Sequence, residues 1–202
     1  MIVADNSSTD RTASIAAERG CDVVRVDKRV IGAARNGGGR VARGEIVCFV
    51  DADMRIHAQT FNAIDRALED PRIVAGATGA WPERWSLGLA VTVAVMLPIV
   101  VLARIDTGVV FCRRTDYEAV GGYREDRLFA EDIAFLAALW RLGRRRGQRL
   151  TRVTTARAIA STRKFDKYGE WHYFRLPWVM IVAAFRDPAN QRWAKKYWYE
   201  DR

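Results

Sequence analysis

The feature that most limits what this chain can become is an alternation of short apolar runs with helix-forming stretches. "MIVA" at Met1–Ala4, "CDVVRV" at 21–26, "EIVCFV" at 45–50 and "IVAGATG" at 73–79 read as buried strands. Between the first two, helical residues run to about Arg19 and stop at Gly20, while Gln59–Leu68 carries another helical pattern. Strands alternating with helices predict an α/β class with a mostly parallel central sheet covered on both faces. The stretch at 31–43, rich in small residues with "GGG" at 37–39, reads as a loose helix or loop where something approaches the backbone closely.

Further on, "TGVVFCRR" reads as a strand and Gly121–Gly122 as a turn. "EDIAFLAALWRLG" at 131–143 reads as a helix with Ile133, Leu136, Leu139 or Trp140, and Gly143 at helical spacing, ending before Gly143. "RRRGQR" then reads as a solvated basic run or part of an anionic contact. With 202 residues and neither repeats nor a low-complexity linker, the chain is expected to form one domain.

Its formal net charge of +9 suits an anionic partner: nucleic acid, an acidic membrane surface or a phosphorylated small molecule. Zinc-ligand spacing and RNP-like aromatic motifs are both missing, which argues against nucleic acid. Cys21, Cys48 and Cys112 are scattered without CxxC spacing and read as buried free thiols, suiting a reducing, cytoplasmic setting. His57 and His172 have no partners at metal-ligand spacing and read as structural or surface residues. Met1 leads straight into "IVADNSSTD" with no basic flank or long apolar core, so no secretory leader is expected.

The strand at 45–50 ends in "DAD", placing Asp51 and Asp53 at i and i+2 beyond it. Two such carboxylates can share a hard divalent cation, Mn²⁺ or Mg²⁺, which favours carboxylate and phosphate oxygens. Strand ends in open α/β sheets are also where ligands bind. The alternative is a turn in which the aspartates cap the next helix.

"VADNSSTDRT", "GAARNGGGRVARGEIVCFVDAD" and "FCRRTDYEAVGGYREDRLFAEDIAF" together resemble glycosyltransferase family 2, over about residues 1–145 and in the same order. The central match is Ala34, Arg35, Asn36, Gly38, Ala42, Gly44 and Glu45, leading into the DxD strand. The resemblance implies a GT-A, Rossmann-like fold with a nucleotide-sugar-binding half at 1–80 and an acceptor half at 81–165. A C-terminal helical, membrane-associated tail would follow at 166–202. It implies a metal-dependent, inverting transferase that moves a sugar from a UDP-type donor to a saccharide hydroxyl or a polyprenyl phosphate, in cell-envelope glycan synthesis.

Carried over by residue, the resemblance gives donor contacts to Asp5, Arg35, Asp51 and Asp53, with Asp53 and Asp51 holding Mn²⁺ or Mg²⁺. Asp132, beside Glu131, stands where the catalytic base stands in inverting members. Were the acceptor a lipid phosphate, Asp132 would position it instead. Arg113, Arg114, Arg163 and Lys164 are the cations expected to meet phosphate, "STRKF" being similar to a basic segment of some bacterial members. In the family a first strand and helix precede the "DNSSTD" turn, whereas this chain begins at that turn's strand. The resemblance therefore leaves a second reading: a non-catalytic nucleotide-binding remnant or partner subunit.

Ser86–Ala103 is 18 residues without a charge, borderline for a transmembrane helix. A single crossing there would put the DxD pair and the Glu131–Asp132 pair on opposite sides of the membrane. The stretch is therefore expected to pack on the core, join a partner or lie in a membrane interface, giving a cytoplasmic protein peripheral to the inner face of the plasma membrane.

Overall fold

The computed structural model describes residues 1–103, 108–128, 130–163 and 169. Lys164, His172 and, apart from Gly169, the tail at 166–202 lie outside the described residues.

The chain opens with β1 (Ile2–Asp5), α1 (Thr12–Glu18) and β2 (Asp22–Arg25), and β1 and β2 pair in parallel as a two-stranded sheet. There follow α2 (Ile31–Val41), β3 (Ile46–Phe49), β4 (Met54–Arg55), α3 (Thr60–Glu69), β5 (Ile73–Pro82) and α4 (Leu87–Ala103). The rest is β6 (Val110–Arg113), α5 (Arg114–Ala119), α6 (Glu131–Arg145) and β7 (Arg149–Ala160). The second sheet has five strands in the order β3-β6-β5-β7-β4. Helix α6 covers one face, where Phe135, Leu136 and Leu139 pack with Val74, Cys112 and Leu150. Helix α3 covers the other, where Ile64 and Leu68 meet Phe111, Val153 and Ala158.

The α/β class and the order of the elements follow the sequence expectation, but the larger sheet is mixed. β5 and β7 pair in parallel, while β3–β6, β5–β6 and β4–β7 are antiparallel. The difference lies in β6, which returns between β3 and β5 against their direction, and in the short β4, which runs antiparallel to β7.

Three local readings change. Within the stretch at 31–43, Ile31–Val41 is a regular helix, and what approaches it is protein. A Cβ on Gly37 would stand 2.4 Å from a methyl of Val26, and one on Gly39 2.6 Å from the Tyr117 hydroxyl. α6 does not end at Gly143, which packs tightly on Val74; it runs to Arg145 and stops before Gly147, whose φ of +70° suits a helix end. Its apolar face is Phe135, Leu136 and Leu139, leaving Ile133 and Trp140 exposed. Cys112 is buried but Cys21 and Cys48 only partly, and all three are free thiols.

Candidate active site

β3 delivers its end to a tight turn in which the Met54 amide donates to the Asp51 carbonyl at 3.0 Å. The chain then returns as β4 beside β7, and the Ser161 amide donates to the Asp53 carbonyl at 3.2 Å. Asp53 is exposed and the Asp51 side chain is 43% exposed, so both carboxylates sit at an open edge.

Arg35, on α2, reaches that edge from the other side. Its Nη2 donates to Asp51 Oδ1 at 2.7 Å and its Nη1 to Glu131 Oε1 at 2.8 Å. The guanidinium also lies 5.1 Å from the centroid of the Tyr123 ring, which stacks on Phe135 and meets Phe49 edge-on. One cation thus joins the turn after β3 to the start of α6, 96 residues away from Arg35 in sequence.

Glu131 opens α6 after Ala130, a non-glycine residue at φ 54°. Its carboxylate is at a helix N-terminus, where negative charge is favoured. Even so, burial pushes its pKa above the ordinary value, opposed by Arg35 and reinforced by Asp132. Asp132 is half-buried, and its Oδ1 accepts from the Ile133 amide at 2.8 Å. Burial would lower the pKa of Arg35, but Asp51 foremost and Glu131 hold it above its usual value.

Asn36, present in the motif but given no role from sequence, is the anchor of this arrangement. Its Nδ2 donates to the Tyr123 carbonyl at 2.8 Å and to Glu125 Oε1 at 2.9 Å. Its Oδ1 accepts from the Tyr123 amide at 2.8 Å and the Tyr117 hydroxyl at 3.1 Å. Glu125 also binds Lys28 and Arg40, and the Asn36 hydrogen bond leads the interactions that lower its pKa. A buried asparagine beside an arginine in "ARN" was the only sequence signal for this.

Of the other expected site residues, Asp5 is buried at the end of β1, where its carboxylate accepts from the Ser8 amide at 3.2 Å. Arg163 lies two residues beyond Ser161, hence at the Asp53 end, and is exposed. Arg113 and Arg114 are not brought to the site. Arg113 pairs in register with Ile46, at the far end of β3 from Asp51, and its guanidinium donates to the carbonyls of Leu68 and Ile73. Arg114 bonds the Gly44 carbonyl and Glu118. His57 is exposed, and its Nδ1 accepts from the Gln59 amide.

Among the described residues, no group of three or more His, Cys, Asp or Glu side chains gathers to hold a metal. The pair on the β3 turn fits a different kind of ion. Two accessible carboxylates, Asp51 with only Oδ1 bound to Arg35, suit a hard divalent cation that takes its remaining ligands from phosphate and water.

The fold is the GT-A glycosyltransferase fold, as the comparisons bear out. A mannosyltransferase from Pyrobaculum calidifontis, solved with GDP-Man and Mn²⁺, superposes with a TM-score of 0.59 at 21% identity, over 78% of this chain and 46% of that one. TarS from S. aureus (residues 1–349), solved with UDP-GlcNAc, gives 0.60 at 16% identity, over 80% and 49%. Glucosyl-3-phosphoglycerate synthase from Mycobacterium tuberculosis, solved with Mn²⁺, UDP and glucosyl-3-phosphoglycerate, gives 0.53 at 18% identity, over 77% and 59%. The chain thus spans about half the length of these proteins. Residues 1–87 match the sequence model of glycosyl transferase family 2, so the resemblance read from the motifs holds over that segment. No curated protein matches the chain.

Proposed function

We propose that this chain is a metal-dependent, inverting glycosyltransferase that moves a sugar from a UDP-type donor to a saccharide hydroxyl or polyprenyl phosphate. The observation that carries the reading is the Arg35 bridge, which puts the DxD carboxylates and the Glu131–Asp132 pair at one site. The solved structures of this fold that hold GDP-Man, UDP-GlcNAc or UDP with Mn²⁺ support the class of donor.

In this reading Asp53 and Asp51 hold Mn²⁺ or Mg²⁺, and Asp5 and Arg35 line the nucleotide side. When bound, the ion neutralises charge developing on the nucleoside-diphosphate leaving group. Asp132 takes the proton of an acceptor hydroxyl at a carboxylate oxygen as that hydroxyl attacks the anomeric carbon. A phosphate acceptor has no such proton to lose, and Asp132 then orients it. Glu131 fixes Arg35 between the two halves and keeps the start of α6 beside the donor. Arg163, exposed two residues beyond Ser161, would meet phosphate.

A second reading is a donor-binding subunit without turnover. It is favoured by the way Arg35 already neutralises Asp51.

The test is the melting temperature with UDP, GDP and their sugars, with and without Mn²⁺, for wild type and Asp53→Ala. A ligand at 100 times its Kd adds about 2.7 kcal/mol, a rise of several degrees for a domain this size. The expected result is a Mn²⁺-dependent rise lost in Asp53→Ala, and no rise with any nucleotide would refute the donor site. Sugar release from the same donor separates the two readings.

A further inference from the structure

Helix α4 is apolar on every side, which is ordinary for a helix enclosed by protein and unusual for one at a surface. It is at the surface. Leu89 and Thr92 are buried against the protein, yet Leu87 is 73% exposed, Leu102 88%, and Val95, Leu97 and Val101 close to half. At 17 residues it is about 26 Å long, short of a bilayer's hydrocarbon core. Among the described residues no helix is long and apolar enough to cross a membrane.

The apolar surface continues off the helix. Trp81 and Trp85 meet edge-on at 5.4 Å just before α4, both exposed. Trp81 pairs in register with Ile159 of β7, which is exposed as well. Cations border this surface at both ends. Arg157 lies over the Trp81 ring at 4.5 Å and Arg84 adjoins Trp85, while Arg149 and Arg152 line a groove with Val101 near the other end of the helix.

We propose that α4, with Trp81 and Trp85, docks the protein onto an anionic membrane surface, the helix lying in the interface plane. Three features choose this occupant over a second copy of the chain. The exposed face is a whole helix side, as an acyl boundary would take it. The tryptophans with their flanking arginines suit the headgroup layer. A symmetric dimer through α4 would bring arginines against arginines in a chain already carrying +9, whereas anionic headgroups complement them.

The position also bears on the site. The Glu83 amide bonds the Ala160 carbonyl, and the adjacent Ser161 amide bonds the Asp53 carbonyl. The membrane-facing edge is therefore beside the DxD turn, and on the reading of sugar transfer a lipid-borne acceptor would be presented there. Docking itself does not depend on that reading.

The test is flotation of the full chain with vesicles of phosphatidylcholine, with or without about 30% phosphatidylglycerol. It compares wild type with Leu97→Glu/Leu102→Glu and with Trp85→Ala, each checked for an unchanged circular dichroism melt. Leu102 is exposed and Leu97 nearly half so, and neither belongs to the two buried clusters, so the melt reports any packing lost. Expected is binding to anionic vesicles, reduced by salt, that falls roughly tenfold or more in the double variant. Failure of wild type to float with either vesicle overturns the proposal. Binding that the double variant retains in full overturns it too, since the contact then lies elsewhere. A wild-type dimer that the double variant dissolves, with no vesicle binding, assigns the face to a second copy. The nucleotide-dependent melting shift is read separately, so docking and donor binding can fail independently.

Discussion

At Glu131, burial and the Arg35 ion pair act in opposite directions on the same carboxyl, and burial wins. A carboxyl whose folded pKa lies above its unfolded value favours the folded state most when protonated. That contribution is complete below the ordinary value of 4.5 and is lost as pH rises through the raised one. Glu131→Gln keeps the side chain's shape and hydrogen-bonding reach to Arg35 but cannot ionise. The melting temperature of the variant relative to wild type is therefore expected to climb as pH goes from about 4 to about 7. A constant difference across that range would mean that burial does not control this group. In the proposed reading Asp132, more open and bound to the Ile133 amide, is the carboxylate that takes the proton of an incoming hydroxyl.

Among the elements, α2 links the two sheets. Its glycines let it lie close to β2 and to Tyr117, and Asn36 ties it to the loop at 121–125 through three hydrogen bonds and to Tyr117 of α5 through a fourth. Asn36→Ala would strand the buried Tyr123 amide and Tyr117 hydroxyl without partners. A loss of about 2–4 kcal/mol is expected, read as a lower urea midpoint with little change in slope. Most elements were legible because their apolar residues recur at strand or helix spacing. β7 was not. Its 12 residues are interrupted by arginines and start at the last residue of "RRRGQR", and pairing between β5 and β4 makes them a partly buried strand. The misplacement of Arg113 and Arg114 has the same origin. In a parallel sheet the end of β6 would lie beside Asp51, but antiparallel pairing carries it to the other end of β3. Motif spacing pointed to the residues that gather at the DxD turn; strand direction, set by long-range pairing, decided which cations could join them.

For the molecule as a whole, the surfaces described lie along one edge: the DxD turn, the end of β7 and the start of α4. At the DxD turn Arg35 joins this edge to the start of α6, with two carboxylates sharing a single cation. Such sharing makes the two halves bargain over charge. Whatever draws Asp51 away leaves the guanidinium to Glu131 alone, which favours the ionised form of that carboxyl. By reciprocity, a protonated Glu131 leaves Arg35 more firmly with Asp51 and weakens anything that competes for it. Calorimetric titration of Mn²⁺ and UDP at mildly acidic pH should thus give heats that vary with the buffer's ionisation enthalpy beyond the nucleotide's own proton release, and Glu131→Gln should reduce that variation. The same variation in wild type and Glu131→Gln would mean the carboxylates act independently. If they are coupled, the occupancy of one half is reported to the other as a proton, with no moving part required.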